Sequence, residues 1–158
     1  MPTIRPTRTE DLDRVVALEA AADTVEWLCE TGRAWHERAL ADRDQEHLVV
    51  EYDGAVIGFG VLAGLRTCDG VIELRRMAVD PAHRGSGTGR ALLRAAIGRA
   101  LDRHGAHRVW LDVKVHNERA RLLYESEGFV PTETQAGAVA EPDGTTSDLL
   151  VMVRQPSS

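Results

Sequence analysis

The chain is short of several things at once. Only two cysteines, Cys29 and Cys68, occur in its 158 residues, and they show no framework spacing. That excludes a disulfide scaffold and points to free thiols in a reducing compartment. No apolar run approaches the roughly 20 residues that span a bilayer. The opening Met1-Pro2-Thr3-Ile4-Arg5-Pro6 lacks the apolar stretch of a secretory signal. A cytoplasmic protein with no membrane partner is expected. Internal repeats and long linkers are also missing, so residues 1–158 read as one domain, long enough to bury its own core. Positive charge is in deficit: the net charge is −6, which argues against a nucleic-acid partner. His104 and His107 fall across a helix end with no cysteine or acidic cluster beside them, so no metal is expected.

What is present is ordered. Residues 1–53 hold 13 acidic and 6 basic residues, so the first third carries nearly all of the negative charge. That is either a solvated helical surface or a field that attracts a cation. A short strand is expected over Thr3–Arg5. Thr9 is placed to cap a helix whose face repeats at Leu12, Val16 and Ala20, and Leu28, Thr31, Trp35 and Ala39 outline a second. His47–Tyr52 and Ala55–Leu65 flank a tight Asp53-Gly54 turn as a hairpin. Val71–Val79 reads as another strand, and a helix follows from Arg90 to His104 with Gly105 as its stop. Val109, Leu111, Val113 and Val115 alternate with polar residues as a strand does. Asn117 caps a helix to Glu127, ended by Gly128. Strands are expected at Phe129–Thr134 and Asp148–Arg154, joined by a mobile loop with Gly137, Pro142, Asp143 and Gly144. The order β-α-α-β-β-β-α-β-α-β-β describes an α/β mixed sheet with helices on its faces.

One strand breaks its own rhythm. Ile72 and Leu74 are apolar on even positions; past Arg75 and Arg76, Met77 and Val79 are apolar on odd ones. Either the strand is buried on both faces, where alternation means little, or one extra residue at a β-bulge produces the phase change and leaves backbone groups open to a ligand. Just downstream, Arg84-Gly85-Ser86-Gly87-Thr88-Gly89 lies between strand and helix. Glycines there let a backbone approach a ligand closely, and successive amides at a helix start suit a pyrophosphate. A P-loop would end in Gly-Lys-Ser/Thr, and the loop has no lysine. A dinucleotide fingerprint needs glycine or alanine where Arg90 or Leu92 stands.

The loop instead matches Q/R-x-x-G-x-G/A, with Arg84, Gly87 and Gly89 at the fixed places. Downstream, Asn117 to Phe129 matches N-x-x-A-x-x-x-Y-x-x-x-G-F through Asn117, Ala120, Tyr124, Gly128 and Phe129. In this order and within this strand–helix pattern, the chain resembles the GNAT superfamily of N-acetyltransferases from Thr3 to Arg154, most sharply from Val71 to Phe129. The resemblance implies a mainly antiparallel mixed sheet with a bulged central strand and a splayed cofactor cleft. It implies acetyl-CoA as acyl donor, with Met77, Ala78 and Val79 along the pantetheine arm. Gly85, Ser86, Gly87, Thr88 and Gly89, with Arg84 and Arg90, would form the pyrophosphate cradle, and Asn117 a further cofactor contact. Tyr124 matches the tyrosine at the thioester sulfur, and Glu73 a glutamate that serves as base.

The chemistry suits those roles. An alkyl ammonium with a pKa near ~10.4 must lose a proton before it attacks, and a carboxylate of raised pKa can collect it. A tyrosine arrives protonated and can donate to the departing thiolate. The expected acceptor is an amine, on a small molecule or a protein, that is cationic in solution. Glu26 and Glu30 share a helical face, and Trp27 beside them can hold an ammonium over its ring. Trp27, Trp35 or the last two strands offer surfaces for a homodimer. Two alternatives stay open: a non-catalytic acyl-CoA sensor, and another acyl-CoA donor on the same scaffold.

Overall fold

The computed structural model describes residues 2–21, 31–67 and 69–155. Seven strands lie among the described residues: β1 (Thr3–Pro6), β2 (Gln45–Tyr52), β3 (Ala55–Ala63), β4 (Val71–Val79), β5 (Arg108–Lys114), β6 (Val130–Ala140) and β7 (Thr146–Arg154). They form one sheet in the order β1-β2-β3-β4-β5-β7-β6. Every neighbouring pair is antiparallel except β4–β5, which is parallel. Four α-helices lie among the described residues: α1 (Leu12–Glu19), α2 (Arg33–Ala41), α3 (Thr88–Gly98) and α4 (Glu118–Ser126). None is long and apolar enough to cross a membrane.

The two faces of the sheet are covered separately. On one, Leu93, Ala96 and Ile97 of α3 pack against Leu62, Ile72, Leu74 and Leu111, with Ala120, Leu123 and Tyr124 of α4 at the rim. On the other, Val15 and Leu18 of α1 pack against Val49, Phe59, Val61 and Ala78, joined by Trp35 of α2.

The phase change in β4 is a bulge. Val61 of β3 faces Arg76 and Leu62 faces Leu74, so Arg75 is the unmatched residue. Ile72, Leu74, Met77 and Val79 thereby share the α3 face, while Arg76 and Ala78 turn toward α1.

Some boundaries differ from the sequence expectations. Thr9 opens a one-turn 3₁₀ segment, Thr9–Asp11, and does not cap α1; Asp11 instead accepts from the Arg8 N–H at 2.7 Å. α3 starts at Thr88, because Gly87 in the left-handed region fixes its N-terminus. Its last turn widens over Arg99–Arg103 before the chain turns at Gly105. β6 runs through Gly137 to Ala140, and β7 begins at Thr146, so most of the expected loop is ladder. Two register shifts in β6, at Pro131/Glu133 and Gln135/Val139, hide the alternation that would have marked it.

Candidate active site

β4 and β5 pair over three rungs only, Val71↔Arg108, Ile72↔Val109 and Glu73↔Trp110. Beyond Glu73, β4 continues beside β3 and β5 continues beside β7. The strands therefore splay apart at the bulge. The backbone of Met77, Ala78 and Val79 pairs with Gly60, Phe59 and Gly58 on one side and leaves its β5 side open. A cleft of about 160 Å³ fills the gap, bordered by Arg75, Arg76 and Met77 of β4, Asp112 and Lys114 of β5, and Asn117 and Tyr124 at and within α4.

At the N-terminus of α3, Gly85 and Gly87 hold φ of +81° and +84°, a region L side chains rarely adopt. A Cβ at either position would meet no protein atom within 4 Å, so the loop surface is open. The first helical bond past the loop runs from the Ala91 N–H to the Gly87 carbonyl at 3.0 Å, so the amides of Thr88–Arg90 precede it. The Ser86 hydroxyl donates to the His83 carbonyl at 2.6 Å and lies 3.0 Å from Thr88 Oγ1. These side chains brace the loop, and the amides ahead of the first helical bond are the kind of donor a pyrophosphate requires. Arg90 reaches across to Ser126 and Glu127 (2.9 and 2.6 Å), joined by Arg94 to Glu127 at 2.5 Å, which ties α3 to the end of α4.

The α4 side presents Asn117 and Tyr124. Asn117 caps its helix through a long 3.4 Å bond from the Ala120 N–H while also lining the cleft. Tyr124 packs edge-on against Phe129, ring centroids 5.9 Å apart. Burial, with the nearby Asp112 carboxylate, pushes its hydroxyl up to about 12, so it is protonated at neutral pH.

Two carboxylates occupy the foot of the splay. Glu73 sits on the last β4–β5 rung, and burial holds its carboxyl above the usual range; Arg75 opposes that shift, and Asp112 reinforces it. The Arg75 guanidinium donates to Glu73 Oε1 from Nε and Nη2, at 3.0 and 2.9 Å. Asp112 was not singled out by sequence reasoning, since its position in an alternating strand reads as a solvated face. In the structure it lines the cleft with Tyr124, and the surrounding protein raises its carboxyl although the residue remains exposed. Leu111 and Val113 flank it on the α3 face, so Asp112 projects to the same side as Glu73.

Behind the β4 wall lies a buried polar chain. Glu19, at the end of α1, accepts from the Gly32 N–H (3.0 Å), from Arg76 Nη1 (3.0 Å) and from His36 Nε2 (2.8 Å). His36 Nδ1 lies 2.9 Å from His47 Nε2, and His47 Nδ1 lies 2.7 Å from Thr7 Oγ1. Thr7, His47 and His36 therefore form one hydrogen-bonded chain that ends on Glu19. Arg76 also stacks 3.7 Å over the Trp35 ring. The half-buried Trp35 is therefore part of this wall rather than a bare surface. Trp27, Glu26 and Glu30, and both cysteines, lie outside the described residues.

Residues 12–129 match the model of the acetyltransferase (GNAT) family. The chain is 30% identical over 128 residues to a putative [ribosomal protein bS18]-alanine N-acetyltransferase of Bacillus subtilis, covering 81% of this chain and 80% of that protein. It is 34% identical over 119 residues to an uncharacterized N-acetyltransferase of Mycobacterium tuberculosis, covering 73% and 70%. The crystal structure of the ribosomal-protein-S18-alanine N-acetyltransferase of Escherichia coli superposes with a TM-score of 0.83 at 24% identity, over 100% of this chain and 96% of that one. GNAT acetyltransferases generally use acetyl-CoA as donor. With a matching family model, a splayed sheet and a glycine-rich helix start, the chain belongs to the GNAT family and is an N-acetyltransferase that moves an acetyl group to an amine.

Proposed function

We propose that this chain takes acetyl-CoA as its donor and acetylates the α-amine of a peptide or protein N-terminus inside the β4–β5 cleft. The observation that carries the reading is the convergence of Asp112, Tyr124 and Asn117 on one cleft beside the open β4 backbone. The relatives named for a ribosomal-protein alanine support the acceptor class; the Escherichia coli one is 28% identical over 96% of both chains.

Met77, Ala78 and Val79 would hold the pantetheine arm by backbone pairing. The amides of Gly85 to Arg90, with Arg84 at the head of the loop, would hold the pyrophosphate. The donor supplies an activated thioester carbonyl. The chain's own residues handle protons. Asp112, at the cleft, accepts the proton that the acceptor ammonium must lose, and Glu73, one rung deeper, is the second carboxylate of the pair. Their raised pKa values bring them closer to neutrality, where a general base works best. Tyr124 donates a hydrogen bond to the leaving sulfur. With its own pKa near 12 against about 8.5 for a thiol, it stabilises the thiolate by that bond rather than by giving its proton up completely. Once the C–N bond has formed and the C–S bond has broken, the amine's second proton ends on the thiol.

The test is thiol release with acetyl-CoA and a short peptide that begins with alanine, beside the same peptide with a blocked α-amine. Release is expected with the free amine and not with the blocked one. Cofactor binding without thiol release from any amine in a broad panel would instead favour an acyl-CoA sensor.

A further inference from the structure

The bulge sets two arginines side by side on the α1 face of β4 and gives them different fates. Arg76 is 9% exposed, held by Glu19 and stacked on Trp35. Arg75 is the extra residue of the bulge; its side chain is 41% exposed and rests on Glu73 at the cleft. Glu73 and Asp112 are the carboxylates it faces at the cleft, and Asp42, at the end of α2, is a third within reach of its charge.

We propose that Arg75 is a specificity-determining residue: its guanidinium occupies the place beside Glu73 and Asp112 that the acceptor's ammonium takes, and the acceptor enters by displacing it. The proposal rests on reading those two carboxylates as the proton acceptors of the reaction.

Three features support it. Water reaches the pair from the Arg75 side, whose side chain is 41% exposed against 15% for Glu73, and solvent screening weakens a pair open in this way, so a second cation can replace the guanidinium at low cost. Without a cation, two neighbouring carboxylates repel and one takes up a proton, which spoils a base; Arg75 keeps both ionised while the site waits. Arginine does not give up its own proton, whereas the ammonium that replaces it does. The placeholder is therefore inert and the acceptor is not.

A substrate class follows. The displaced Arg75 stays tethered at the cleft rim, beside the fixed Arg76. A second positive charge on the acceptor would meet both. A monocationic amine next to a neutral carbonyl, as at a peptide N-terminus, escapes that repulsion and offers Arg75 a new acceptor. A polyamine does not. The other charged groups facing the pair are Asp42 at the end of α2, which feels the Arg75 charge, Lys114 of β5, ion-paired to Glu141 at 2.7 Å, and Glu19 of α1 behind Arg76. Tyr124 of α4 lines the same cleft.

The experiment measures kcat and KM from acid to alkaline pH for an alanine-initiated peptide and for spermidine. It compares the wild type with Arg75→Gln and Arg75→Lys. Arg75→Gln should lower the peptide KM about fivefold on the alkaline side of the acid limb, the scale of one exposed ion pair. It should raise kcat/KM for spermidine by a larger factor and move the acid limb to higher pH. Arg75→Lys should keep the limb in place, which a purely structural role would not produce. An unchanged KM, or a limb that stays put or moves to lower pH in Arg75→Gln, overturns the proposal. If the wild type releases no thiol with any amine, the functional reading fails instead. Arg75 is then judged by NMR titration of the two carboxyl groups in the full chain. Both should titrate higher in Arg75→Gln, and n-propylammonium should reverse the change; titrations that do not move overturn the proposal.

Discussion

Glu19 and Glu73 are both largely buried on the same side of one sheet, with side chains 1% and 15% exposed, yet their acidities move in opposite directions. Burial opposes ionisation of each. At Glu19, donation from His36 and Gly32 and the charge of Arg76 overcome it, and the carboxyl stays below its ordinary range. At Glu73, Arg75 is the counterweight, Asp112 pushes the other way, and the carboxyl ends above that range. The number of donors aimed at a carboxylate, more than its depth, decides whether it is a strut or a base. Glu19 joins α1, the start of α2 and β4, and is saturated. Glu73 and Asp112 are left under-satisfied where the strands part.

The sharpest way to break the comparison is to remove the saturated member. Glu19→Ala leaves Arg76 and His36 buried without their acceptor, and stability should fall by about 3–5 kcal/mol. Chemical denaturation measures it; a loss below about 1 kcal/mol would show that the hub contributes little.

Acid should separate the two regions next. Burial, with the charge of His36, lowers the His47 imidazole to about 4 from 6.5. Between those values the unfolded chain binds a proton that the folded chain refuses. This contribution is therefore full above pH 6.5 and lost as pH falls toward 4, by up to about 3 kcal/mol at 1.36 kcal/mol per unit. Glu73 and Asp112 act with the opposite sign, since their raised pKa values favour the folded state as pH drops. Denaturation across this window should show a net loss on acidification that His47→Gln flattens. A slope unchanged by that substitution would remove His47 from the account.

The cleft members should instead affect rate. Tyr124→Phe and Asp112→Asn should each lower kcat about 10²-fold, near 2.7 kcal/mol, with cofactor affinity retained. Asp112→Asn should recover in part at high pH, where free amine forms unaided. Full activity in both variants would remove them from the reaction, and the same loss in Glu73→Gln alone would shift the base one rung deeper.

The sequence announces some of this and hides the rest for physical reasons. The bulge is legible because apolar residues change parity across Arg75 and Arg76. The phosphate loop and the Asn117–Phe129 helix are legible because their glycines and caps are local signals. The Thr7–His47–His36–Glu19 chain is not: its members lie 40, 11 and 17 residues apart, and a polar side chain carries no sign that it will be buried. Asp112 is hidden in the alternation of Val109, Leu111 and Val113, where any polar residue reads as facing water. The distal part of β6 is hidden because its register slips twice.

The rims of the sheet have a consequence for colloidal behaviour. A strand edge with free amides and carbonyls invites another chain to add to it, the first step toward aggregation. One rim here, β1, has four residues and ends on Pro6. The other, β6, is eleven residues long and almost wholly exposed, but it includes Pro131, which has no N–H, and it breaks register twice. Neither rim offers a straight, unbroken template. Crowding many copies together should not extend the sheet from one molecule to the next, and any self-association along β6 has to rely on side-chain surfaces rather than on a shared ladder.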